Sequence, residues 1–179
     1  MIGGNPTGKR SETDFYPTPP DVTEALLRAV GFRKPAVIWE PACGEMDMVS
    51  VLQNAGHTVI ATDLKYGQDF LTMPAPECDW IITNPPFSVS DKFIERCVEL
   101  GKPFALLLKS QYWHARKRYD LFQNTPPVLC VSPNLEARLP VQETRETERA
   151  AYGCYVVRMD SWRRGHAVLP VKETWRWSF

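Results

Sequence analysis

The chain has 179 residues, enough for one compact domain with a full core and too few for two. Apolar residues make up 44% and charged residues 23%, which excludes extended disorder, and no apolar run approaches a membrane span. Lysines and arginines number 21 against 21 aspartates and glutamates, so a uniformly basic nucleic-acid binder is excluded.

The charge is nevertheless segregated. Residues 40–99 carry three basic and ten acidic side chains, a net of −7, and residues 100–179 carry thirteen basic and seven acidic, a net of +6. Such a distribution suits either solvated helix faces or a molecule with one acidic and one basic side. The cysteines (Cys43, Cys78, Cys97, Cys130, Cys154) are odd in number and form no CxxC pair. Neither a disulfide framework nor a metal site is expected, and a cytoplasmic setting suits free thiols.

In chain order, residues 1–14 read as a flexible leader rich in glycine and polar side chains, and residues 15–179 as a single domain. Phe15-Tyr16-Pro17-Thr18-Pro19-Pro20 is a stiff segment. Asp21 is placed to cap a helix with Val22, Ala25, Leu26, Leu27 and Val30 on its apolar stripe, ending at Gly31. Ala36 to Trp39 predicts a strand, closing at Glu40-Pro41-Ala42-Cys43-Gly44. A helix bearing Met48, Val49, Val51 and Leu52 follows and stops at Gly56. Thr58 to Asp63 predicts a second strand, Asp69-Phe70-Leu71 a short third, and Asp79 to Thr83 a fourth that runs into Asn84-Pro85-Pro86-Phe87. A helix over Ser90–Leu100 and a strand over Pro103–Leu108 come next. Tyr112 to Asn124 reads as helical, Val128 to Val131 and Tyr152 to Met159 as strands, and Glu173 to Phe179 as a final alternating strand.

Nearly unbroken apolar strands alternating with helices predict an α/β fold with a mostly parallel central sheet covered on both faces. In such sheets ligands bind beyond the C-terminal strand ends. The residues at those ends are Glu40, Asp63, Asp69 and Asn84.

Asn84-Pro85-Pro86-Phe87 carries the most chemistry. Two prolines fix φ and remove amide donors, so the Asn84 side-chain carbonyl and the Pro85 backbone carbonyl can accept both hydrogens of a planar amino group. That draws the nitrogen toward tetrahedral geometry and aims its lone pair at an electrophile. Phe87 offers a face for a flipped base. Average composition would give such a tetrapeptide by chance in on the order of one in two hundred chains of this length. Gly44 permits a tight turn at the first strand end. Asp63, nineteen residues later, is placed to accept from ribose hydroxyls.

Together these segments resemble the S-adenosylmethionine-dependent DNA amino-methyltransferases, most closely the small phage and prophage adenine-N6 enzymes. The resemblance covers residues 14–125 well and 150–159 loosely. FYPTPP resembles that family's motif X, EPACGE its motif I, the aspartate of VIATD its motif II, DF its motif III and NPPF its catalytic motif IV. The motif order matches the gamma-type members.

A Rossmann-like methyltransferase fold with S-adenosylmethionine as cofactor is what the resemblance implies. Phe15, Tyr16 and Thr18, with Glu40, Cys43 and Gly44, would hold the methionine end; Asp63 would take the ribose, and Asp69 and Phe70 the adenine. Asn84, Pro85, Pro86 and Phe87 would form the catalytic pocket, and Tyr155 is either the aromatic of motif VIII or, as its place in an apolar strand favours, a core residue. Met46 stands where the family usually has a second glycine. DNA is the implied substrate, with Lys109, Arg116, Lys117 and Arg118 as phosphate contacts. No segment is long enough for a separate target-recognition domain. Target choice would come from residues 110–150, a second copy in a homodimer, or a partner. Protein glutamine-N5, RNA adenine-N6 and cytosine-N4 transfer, or a non-catalytic nucleic-acid-binding relative, are the alternatives. The reaction needs no histidine, so His57, His114 and His166 read as structural.

Overall fold

A computed structural model describes residues 17–109, 129–131 and 153–158. Its elements are α1 (Pro20–Val30), β1 (Val37–Glu40), α2 (Asp47–Asn54), β2 (Thr58–Ala61), β3 (Trp80–Thr83), α3 (Ser90–Leu100), β4 (Phe104–Lys109), β5 (Leu129–Val131) and β6 (Gly153–Arg158). Single 3-10 turns cover Leu64–Tyr66 and Phe87–Val89.

The strands form one sheet in the order β2-β1-β3-β4-β6-β5. β1 pairs in parallel with β2 and β3, and β3 with β4. β6 runs antiparallel to both β4 and β5, with Tyr155 opposite Leu107 and Val131.

Successive residues of β1, β3 and β4 point to opposite faces, and both faces are apolar there. On one face Ile38, Ile82, Ala105 and Leu107 meet Val22, Leu26 and Val30 of α1 and Met48 and Leu52 of α2. On the other, Trp39, Ile81, Phe104, Leu106 and Leu108 meet Phe93, Ile94 and Cys97 of α3, together with Phe70 and Cys78. The protein is therefore of the α/β class, with helices on both sides of the sheet.

Two local expectations change. Asp21 lies inside the first turn of α1; the cap position belongs to Pro19, a proline opens the helix, and no side chain caps it. Proline suits that position because its missing amide would have been unpaired there in any case. Asp69-Phe70-Leu71 is a turn, not a strand. Asp69 Oδ1 accepts the Leu71 amide at 3.0 Å, and its backbone carbonyl accepts those of Thr72 and Met73. That aspartate-centred bonding competes with a strand ladder.

β1 to β2 steps outward on one side of the sheet, whereas β3 and β4 continue on the other. The strand order thus reverses at β1, and the crevice of an open α/β sheet lies beyond the C-terminal ends of the strands flanking such a reversal, here β1 and β3. Among the described residues no helix is long and apolar enough to cross a membrane.

Candidate functional site

Glu40 ends β1 and is buried to 1% exposure. Its Oε1 accepts the Ala42 amide at 3.0 Å and the Thr83 hydroxyl at the end of neighbouring β3. Its Oε2 is buried with no hydrogen-bond partner among the described residues. Burial pushes the carboxyl up from its ordinary 4.5 to about 8; the bonds from Thr83 and Ala42 pull the other way, and nearby Asp63 adds to the rise. The site therefore contains a buried carboxyl that favours its protonated form, with one oxygen left without a partner among the described residues.

The loop after β1 is laced to the end of β2. Thr62 donates its amide to the Glu40 carbonyl and accepts the Cys43 amide. The Thr62 hydroxyl receives the Trp39 indole N–H at 2.8 Å, inside the core. Asp63 accepts Gly44 N at 2.9 Å through Oδ2 and Lys65 N at 2.8 Å through Oδ1. Gly44 (φ 50°) and Met46 (φ 71°) both lie in the left-handed region, and Met46 is the only non-glycine to do so among the described residues. Lys65 reaches back across this turn: its ammonium bonds the Gly44 carbonyl and Glu45 Oε1. The Glu45 bond most of all, and Tyr66 beside it, hold its pKa above the ordinary lysine value. The Cys43 side chain is buried, and burial first, then Asp63 and Glu40, push its thiol up and away from reactivity.

Asn84-Pro85-Pro86-Phe87 follows β3 directly. Pro85 is buried, while Asn84, Pro86 and Phe87 are half-buried. Asn84 Nδ2 donates to Thr18 Oγ1 at 3.1 Å. The carbonyl of Pro86 is taken up locally, by Val89 N at 3.1 Å and by the Ser90 hydroxyl at 3.2 Å. The corner is thereby tied to the start of α3, with the Pro86 carbonyl consumed by that local turn.

A continuous run of contacts, Thr18–Asn84, Thr83–Glu40, Glu40–Thr62 and Asp63–Gly44, brings the acidic strand ends and the asparagine corner to one edge of the sheet. Asp69 joins them less directly. Its neighbour Phe70 packs on Trp39, the residue before Glu40, with ring centroids 5.0 Å apart, and on Phe93 at 4.5 Å. At 2% exposure the Phe70 ring has no face left for a ligand, so its expected role beside an adenine is corrected to a role in the core.

His57 is a core histidine, its Nδ1 accepting the Ala36 amide at 3.1 Å. Phe15, Tyr16, Arg116, Lys117, Arg118, His114 and His166, and the expected elements at Tyr112–Asn124 and Glu173–Phe179, lie outside the described residues. Lys109 is described only as the last residue of β4.

Sequence reasoning missed Thr83, Thr62 and Lys65. A threonine closing a strand beside a candidate carboxylate was the available signal for the first two. Among the described residues, no cluster of histidine, cysteine, aspartate and glutamate could hold a metal ion. No family model and no curated protein matches the chain.

Proposed function

We propose that this protein is an S-adenosylmethionine-dependent methyltransferase of Rossmann-like fold that acts on the N6 amine of adenine in DNA. The observation that carries this reading is the Asn84-Pro85-Pro86-Phe87 corner at the end of β3, one strand from Glu40 and across the reversal of strand order.

The residues present fit the cofactor. Ionised by a cationic ligand, buried Glu40 would offer its unused Oε2 as an acceptor to an ammonium group, and the turn at Cys43 and Gly44 brings backbone close to whatever lies above β1. Asp63 already accepts two amides, yet each carboxylate oxygen has a further lone pair to offer a ribose hydroxyl. When bound, the cofactor supplies an electrophilic methyl on a positively charged sulfur. The chain then has three tasks. Asn84 Oδ1 and the Pro85 carbonyl accept the two hydrogens of the target amine and localise its lone pair; Phe87 stacks the base; the prolines keep both acceptors in place. No side chain need act as a strong base, since the methylated amine is acidic enough to lose its proton to solvent.

Met46, standing where the family usually has a glycine, is the residue that would favour a non-catalytic relative. It adopts the left-handed turn that a glycine would make, so the loop keeps its form. Phosphate contacts by Lys109 and Arg116 to Arg118 remain part of the proposal, as do a cytoplasmic location and a homodimer or partner that supplies target choice.

The test is incubation with methyl-labelled S-adenosylmethionine and, in parallel, unmodified DNA, tRNA and protein extract. Label in N6-methyladenine of DNA is the expected result. Label confined to RNA or glutamine moves the substrate class, and cofactor binding without transfer to any of the three overturns the enzymatic reading.

A further inference from the structure

Thr18 and Asn84 are 66 residues apart in the chain, yet their side chains meet at 3.1 Å. Neither is there by accident of a mobile loop. Thr18 sits between Pro17 and Pro19-Pro20, is buried to 6% exposure, and leads into α1, whose Val22, Leu26 and Val30 are anchored in the core. Asn84 sits between β3 and two prolines. Both backbones are locked, so the contact between their side chains is set to the same degree.

We propose that Thr18 is a positioning residue that fixes which way the Asn84 carboxamide faces. The inference rests on the methyltransferase reading and adds to it a role for this hydroxyl beyond holding the cofactor. An asparagine amide turned by 180° exchanges its oxygen for an NH2 group. For an amine substrate the exchange is fatal to the chemistry, because donors would then face donors. Engaged at Nδ2 by Thr18, the amide presents Oδ1 on its other side. A threonine hydroxyl has one proton and two lone pairs. Once that proton is given to an acceptor on a bound ligand, the hydroxyl can only accept from Asn84, and the flipped amide loses this bond. Cofactor binding and the setting of Asn84 are thus joined through one oxygen atom.

The test compares wild type with Thr18→Val, which keeps the shape and removes the hydroxyl, and Thr18→Ser, which restores it; Thr18→Ala replaces valine should that variant fail to fold. Two readouts are taken: kcat and cofactor KM for methyl transfer, and the side-chain amide resonances of Asn84 in 15N-labelled protein, identified by their loss in Asn84→Ala. The expected result is a kcat lower by about tenfold to a hundredfold in Thr18→Val together with a raised cofactor KM, recovery of both in Thr18→Ser, and Asn84 amide signals displaced in valine but not in serine. A raised cofactor KM at unchanged kcat would show a hydroxyl that only holds ligand and would overturn the proposal. So would Asn84 signals that are the same with and without the hydroxyl. If wild type transfers no methyl to any acceptor, the functional reading falls on that result, and the amide comparison alone decides the role of Thr18.

Discussion

Asp63 holds Gly44. The aspartate at the end of β2 accepts the glycine amide at 2.9 Å, while its other oxygen accepts Lys65 N at 2.8 Å, so one carboxylate clamps the turn after β1 to the turn after β2. A side chain expected to serve a ligand thus also serves the loop that would contact that ligand. Asp63→Ala should therefore do two things at once. It leaves the amide of buried Gly44 without its acceptor, at a cost of about 1–2 kcal/mol that denaturant unfolding will read, while the amide of exposed Lys65 turns to water. It should also weaken cofactor binding in calorimetry. Unchanged stability with lost binding would mean that the clamp is idle.

Asn84→Ala addresses the chemistry alone. It removes the side-chain acceptor proposed to polarise the amine and should lower single-turnover methyl transfer by about 10²–10³, as the loss of one preorganised polar group does elsewhere. Cofactor affinity should stay near that of the wild type. Activity that survives unchanged would take Asn84 out of the polarising role.

Glu40 predicts a pH dependence whose sign follows from its burial. Its pKa rises from an ordinary 4.5 to about 8 in the folded protein, so between those values the folded state keeps a proton that the unfolded chain has lost. Unfolding then releases a proton, and stability falls as pH rises through that window. His57 acts oppositely: burial lowers its pKa below 6.5, so stability falls as pH drops beneath that point. Between pH 6.5 and 8 the Glu40 effect is the one of the two that operates, worth on the order of 1–2 kcal/mol. Urea unfolding across that range should show the decline in wild type and a flatter profile in Glu40→Gln. A cationic ligand that engages Oε2 would favour the carboxylate, so cofactor binding near neutral pH should release a proton and tighten as pH rises, until the ligand's own amine loses its charge at about pH 8. Calorimetry in buffers of differing ionisation enthalpy reads that proton directly.

The parts of this architecture that were legible beforehand share a physical cause. β1, β3 and β4 are buried on both faces, so they read as unbroken apolar runs, and each polar residue that ends one of them stands out. Glu40 and Asn84 were found that way, Asp63 from its place after β2 nineteen residues beyond Gly44, and the fold does gather them at one edge. What was not legible depended on distance along the chain. Nothing near Thr18 says that Asn84 is its partner, and nothing in the run GCYVV says that β6 inserts antiparallel between β4 and β5. Phe70 shows a different limit. An aromatic after an acid serves a ligand or a core equally well by pattern, and only the rings of Trp39 and Phe93 on either side decide it.

Met46 offers a test of the turn itself. At φ 71° and ψ 15° it opens α2 in the left-handed region, where a side chain costs about 1 kcal/mol or more and a glycine does not. Its carbonyl still receives the Ser50 amide and hydroxyl at 2.9 Å, so the position is held by backbone bonding, and the side chain stands 41% exposed. Met46→Gly should therefore keep the turn and leave stability unchanged or raise it by up to about 1 kcal/mol, the gain being offset by glycine's greater freedom in the unfolded chain. Met46→Val, with a branched Cβ in the same conformation, should lower stability by about 1–2 kcal/mol. Denaturant midpoints for the two variants give the answer. Equal midpoints would mean that the turn is not left-handed at this residue, and the account of why this loop tolerates a methionine would fail with it.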